Sequence, residues 1–124
     1  MNDTISDLLV RVSNAQRAGK FTFDIPFSRI KVGILEVLRE ERYISEFKTD
    51  EDNKTITIEL SDSNKAFEKI RRVSRPGRRS YIKSKNIPRP RGYGMVIIST
   101  PKGVLSGKKA KAAGLGGELI CEVF

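Results

Sequence analysis

The sequence has no histidine and no tryptophan, and one cysteine, Cys121. Without histidine the usual base of a nucleophilic triad is missing, and a lone thiol cannot complete a zinc site. One cysteine also excludes an internal disulfide. That fits a reducing compartment and makes Cys121 a small core hydrophobe. No apolar run reaches the roughly eighteen residues of a membrane helix, so no segment is expected to span a membrane. Residues 1–15 alternate acidic, polar and apolar types and show no leader pattern. No Gly-Lys-Ser/Thr phosphate loop occurs. The cluster Gly114-Leu115-Gly116-Gly117 has seven residues after it, too few for a dinucleotide unit. The turn Asp50-Glu51-Asp52-Asn53-Lys54 lacks the spacing and glycine of a calcium loop and reads as solvated. Glu118 and Glu122 stand four apart on a strand, so they are expected on one exposed face. No enzyme, metal or cofactor is expected.

What the chain has is positive charge. Lys and Arg total 24 against 15 Asp and Glu, for a net +9 and a pI near 9.9. A nucleic acid or an anionic surface is the natural partner. The charge is uneven. Residues 1–62 carry 9 basic and 12 acidic groups, net −3, while residues 63–124 carry 15 and 3, net +12. The polar stretch Ser61 to Asn64 marks the change. It divides an N-terminal lobe, 1–62, from a C-terminal lobe, 63–124, which faces the polyanion.

In the first lobe, Asp3 or Thr4 can cap a helix with Ile5, Leu8, Leu9, Val12 and Ala15 on one face, stopped by Gly19. Phe21, Phe23 and Ile25 alternate as a half-buried strand closed by Pro26. Ser28 can cap a second helix to about Arg42, with Ile30, Ile34, Val37 and Leu38 inward. Two alternating runs, Tyr43 to Lys48 and Thr55 to Leu60, read as a hairpin. The order is α-β-α-β-β.

In the second lobe, Ala66 to Val73 fits a helix or a strand equally. Arg75-Pro76-Gly77-Arg78 is a strong turn. Between Arg71 and Arg91 lie nine basic residues and no acidic one. Tyr81 and Tyr93 interleave with them and can stack on bases; Tyr81 can equally pack in its strand's core. Ile87 to Gly92 is a rigid proline loop. An apolar run, Met95 to Ile98, leads into the turn Ser99-Thr100-Pro101-Lys102-Gly103. A short basic helix follows from Ser106 or Gly107 through Ala113, with Gly114 just past its end. The closing strand is Glu118 to Phe124. The hydroxyls of Ser99 and Thr100 can face a partner or satisfy their own turn.

Several stretches resemble a known family. Ile97-Ile98-Ser99-Thr100, Gly103-Val104-Leu105, Ala113-Gly114 and Gly116-Gly117-Glu118-Leu119-Ile120-Cys121-Glu122-Val123-Phe124 resemble the C-terminal signature of bacterial-type small-subunit ribosomal protein S8. Asp7 to Val12 with Asn14-Ala15, Ser28 with Lys31, Ile34 to Leu38, Tyr43-Ile44, and Arg72 to Arg79 with Tyr81 agree in order. The resemblance implies an α+β fold of two small lobes stacked as four layers, α/β/β/α, with Ala66 to Val73 as strand. It implies a cytoplasmic structural constituent of the ribosome that binds the central domain of small-subunit ribosomal RNA and aids its assembly. It further implies neighbouring ribosomal proteins as partners and a monomer when free. By motif, Ser99 and Thr100 would contact the RNA, Tyr81 would lie against it, and Gly117 and Glu118 would wall the same site. Arg78, Arg79, Lys83 and Lys102 add charge beside them. Two positions depart from the family: Pro101 stands where a second serine is usual, and Ser106-Gly107 where Thr-Asp usually opens the last helix. A free-standing regulator repressing its own messenger is the alternative.

With roughly five to seven phosphate contacts, log affinity for RNA is expected to fall against log salt with a slope of roughly −4 to −6. A filter-binding titration across salt concentrations checks this, and a flat response would reduce the charge to a solubility device.

Overall fold

In the computed structural model, which describes residues 4–74, 77–88 and 94–124, the first helix α1 spans Thr4–Ala18. Leu8, Leu9, Val12 and Ala15 are buried on its inner face. Gly19 ends it at φ +68°, and the Lys20 amide turns back to the Ala15 carbonyl at 3.1 Å. The expected Asp3 cap lies outside the described residues. Helix α2 spans Arg29–Glu40, and the Ser28 side chain accepts from the Lys31 amide at its start. It ends two residues before the expected Arg42. Arg42 itself takes the left-handed conformation, φ +67°, that closes the helix, and the Tyr43 amide bonds to the Leu38 carbonyl.

The chain forms two units, Thr4–Phe67 and Glu68–Phe124, each of mixed α and β structure. The first carries an antiparallel sheet of β1 (Thr22–Pro26), β2 (Glu46–Asp50) and β3 (Thr55–Glu59) in the order β1-β3-β2. Ile56 and Ile58 alternate inward on the central strand, and Ile58 stands between Phe23 and Phe47 in register. Ile25, Ile34, Leu35, Leu38, Leu8 and Leu9 complete this core. Two expectations shift. Phe21 is 62% exposed and precedes the strand, and the second run starts at Glu46 because Tyr43 and Ile44 are buried in the turn closing α2. At the hairpin, the Asp50 carboxylate accepts from the Asn53 side-chain amide and from the Asn53 and Asp52 backbone amides, which holds its pKa below the ordinary value.

The crossing into the second unit comes at Phe67, past the composition boundary at Ser61 to Asn64. Several contacts tie this stretch back to the first unit, and the Lys65 amide donates to the Arg42 carbonyl at 2.9 Å. Gln16 donates to the carbonyls of Tyr43 (3.0 Å) and Lys65 (2.9 Å) and accepts from the Phe67 amide (2.9 Å). Phe67 then packs against Tyr43 with ring centroids 4.9 Å apart.

The second unit is a five-stranded sheet built on β8 (Gly117–Val123). One edge of β8 pairs with β6 (Met95–Thr100), which pairs in turn with β7 (Gly103–Ser106). The other edge takes two short strands end to end: β4 (Ile70–Arg72) and β5 (Tyr81–Ile82). The ambiguous run 66–73 is thus strand at Ile70–Arg72. Helix α3 (Gly107–Ala112) is capped by Ser106 and buries Ala110 against Ile87 and Ile98.

Gln16→Ala removes three hydrogen bonds at once and is expected to cost about 1–3 kcal/mol. Arg11→Ala, which loses an exposed pair with Asp7 and an exposed 3.4 Å bond to the Asp24 carbonyl, is expected to cost no more than about 1 kcal/mol. Urea denaturation of both variants checks the contrast.

Candidate nucleic-acid interface

The start of β8 organises the surface that the sequence marked. A Cβ on Gly117 would overlap the Ser99 carbonyl oxygen, and one on Gly116 would overlap the Ile82 carbonyl oxygen. Two glycines therefore let three backbones meet where any side chain would separate them. The register then places Glu118 between Tyr81 of β5 and Ser99 of β6, with Val104 of β7 beyond. Residues directly opposite in an antiparallel ladder point to the same face. Tyr81, Glu118 and Ser99 thus form one row across three strands.

Burial decides between the two readings of Tyr81. It is 74% exposed, so its ring is offered to solvent and is not part of the core. Ser99 and Glu118 are half-buried in the sheet. The two hydroxyls of the turn separate. Thr100 is 8% exposed; its Oγ1 donates to the Gly103 carbonyl at 2.7 Å and accepts from the Lys102 amide at 3.2 Å. It satisfies its own turn. The Ser99 hydroxyl makes no hydrogen bond among the described residues. Gly103, at φ +121°, closes the turn in a conformation that other residues resist.

The expected shared face of Glu118 and Glu122 is not formed. The β6–β8 register skips Ile120: Ile97 pairs with Cys121, but Ile98 pairs with Leu119. This bulge adds one residue to β8 and reverses the alternation beyond it. Glu122 lies opposite Val96 and Glu118 opposite Ser99, three apart on β6, so the two carboxylates project from opposite faces. Each has its own cation. Glu118 pairs with Arg79 at 3.0 Å and Glu122 with Arg71 at 3.8 Å.

A buried serine ties down Ser80, just before β5. Ser74 is 1% exposed; its hydroxyl accepts from the Ser80 amide at 2.8 Å and its amide donates to the Leu119 carbonyl. The Leu119 amide in turn donates to the Ser80 carbonyl at 2.8 Å. Nothing in the sequence distinguishes Ser74 from other turn serines, because its burial depends on β8. Arg75, Pro76 and 89–93, which include parts of the expected turn and proline loop and Tyr93, lie outside the described residues. Arg78, Arg79, Lys83 and Lys102 are exposed around the row. The lysines of α3 are exposed too, on a different element.

The fold and this surface define a small, basic α+β protein whose polar chemistry sits on a sheet and its turns. Comparison with known proteins agrees. Residues 3–124 match the family of ribosomal protein S8, and the chain belongs to that family. It is 47% identical to the small ribosomal subunit protein uS8 of Laribacter hongkongensis, 45% to that of Variovorax paradoxus and 45% to that of Neisseria meningitidis serogroup C. Each alignment covers 99% of this chain and 98% of the relative.

Gly117→Ala is expected to displace the Ser99–Thr100 backbone and to lower stability by about 1–3 kcal/mol, the scale of an overpacked site. Gly77→Ala, where no non-neighbouring atom among the described residues lies within 4 Å of the added methyl, is expected to change stability by less than about 0.5 kcal/mol. Thermal melting of the two variants is the check.

Proposed function

We propose that this protein is a structural constituent of the small ribosomal subunit. Its C-terminal unit binds small-subunit ribosomal RNA directly, and its resemblance to the family points to the central domain. The observation that carries this reading is the Tyr81–Glu118–Ser99 row, held in register by two glycines and surrounded by exposed Arg78, Lys83 and Lys102. An exposed aromatic ring lies against a base or ribose. A serine hydroxyl bonds to a 2′-hydroxyl or base edge of the wide RNA minor groove. The cations hold phosphates and set register without reading sequence. Within this scheme Ser99 is the contact and Thr100 the residue that shapes its turn. The 1–62 lobe carries net −3 and is assigned to packing and to neighbouring ribosomal proteins. The free protein is a cytoplasmic monomer.

The test is co-sedimentation of the full chain with small ribosomal subunits at high salt. Retention supports a ribosomal constituent; release from subunits with continued binding to the protein's own messenger supports a free regulator. Within the site, Ser99→Ala is expected to leave melting unchanged and to cost about 1–3 kcal/mol of binding to small-subunit ribosomal RNA. Thr100→Val is expected to lower the melting temperature as well, because it strips two turn hydrogen bonds. Paired melting and titration against ribosomal and scrambled RNA separate the two. Equal behaviour of both variants would contradict the division of roles.

A further inference from the structure

We infer that Arg79 is a positioning residue for the Glu118 carboxylate and not a phosphate ligand. The inference rests on the reading of the Tyr81–Glu118–Ser99 row as the RNA face. A carboxylate in that row is an anomaly, since phosphates repel it. Glu118 remains 20% exposed at its side chain, so it is accessible to a ligand and not sealed in the core. Arg79 Nη1 donates to its Oε2 at 3.0 Å. This offsets the charge and fixes one oxygen, leaving the other to accept from a donor. In an RNA minor groove those donors are a guanine amino group or a 2′-hydroxyl.

The pairing is built by the fold. Ser80, next to Arg79, bonds through its carbonyl to the amide of Leu119, next to Glu118. The Ser74 hydroxyl holds the Ser80 amide from the other side. Both backbones are therefore set before any ligand arrives. Arg79 and Arg78 are consecutive basic residues in one turn with different duties. Arg78 is exposed and has no ion pair among the described residues, so it can exchange counterions for phosphate. Arg79 already engages Glu118 through Nη1, so its charge is offset and it has little to release.

Salt dependence separates these duties, because it counts the phosphates neutralised. The experiment uses the full chain, a transcript of small-subunit ribosomal RNA, and a random-sequence duplex RNA. The variants are Arg78→Ala, Arg79→Ala, Glu118→Ala and the Arg79→Ala/Glu118→Ala double. Arg79→Ala and Glu118→Ala are each expected to weaken binding to the ribosomal transcript roughly 5- to 30-fold, with binding to the random duplex within about twofold of wild type. The double variant is expected to be no weaker than the weaker single. The salt slope stays unchanged in Arg79→Ala and flattens in Arg78→Ala by up to about one unit. Melting temperatures stay close to wild type, since the pair is partly exposed. If the wild type distinguishes the two RNAs but Arg79→Ala flattens the slope and weakens both alike, Arg79 is a phosphate ligand and the inference fails alone. Additive losses in the double variant also overturn it. If the wild type binds both RNAs equally, the RNA reading of the row fails and takes the inference with it.

Discussion

The C-terminal unit depends on a steric constraint at the start of β8. Gly116 and Gly117 lie so close to the carbonyls of Ile82 and Ser99 that a methyl group at either would force the strands apart. Close approach puts β5 and β6 on opposite edges of β8, and the register follows. The three side chains of the row come from stretches far apart in sequence, near 81, 99 and 118. No single loop could present them together. A sheet can, since directly opposed residues share a face and a narrow spacing. Building the site on strands also limits how far any of the three can drift.

Electrostatics and shape then divide the work. The net +12 of residues 63–124 draws a polyanion at long range, and salt screens that attraction over about 10 Å at 0.1 M ionic strength. It does not choose between sequences. Choice requires groups with direction, namely a hydroxyl, a carboxylate oxygen and an aromatic face. The Ile120 bulge matters here. Without it, Glu118 and Glu122 would share a face and double the negative charge beside Ser99. With it, Glu122 projects from the other face and pairs with Arg71.

Much of this was legible in the sequence where the cause is local. Helical spacing of Leu8, Leu9 and Val12, the Ser28 cap and the Gly19 stop gave α1 and α2 nearly to the residue. The Gly-Gly pair, the Ser-Thr turn and the basic run also stood out. What escaped has a non-local cause. Gln16 clamps the chain at Lys65 and Phe67, forty-nine and fifty-one residues on, so the unit boundary moved past the change in composition. Ser74 is buried only because β8 passes beside it. The bulge at Ile120 leaves no mark in a run of apolar residues. Tyr81 is exposed because its short strand meets the sheet at a rim, and no periodicity encodes that. The hydroxyl of Thr100 turns inward because Gly103 folds back toward it, and the sequence alone leaves that choice open.

On the RNA-face reading, one ligand lies across the Tyr81–Glu118–Ser99 row and over the turns that flank it. Amide hydrogen exchange on the full chain, with and without small-subunit ribosomal RNA, tests it most directly. Exchange is expected to slow together at 77–80, 102–103 and 114–117, with little change across α1 and α2. Slowed exchange confined to α3, or spread evenly over the exposed basic residues, would contradict it.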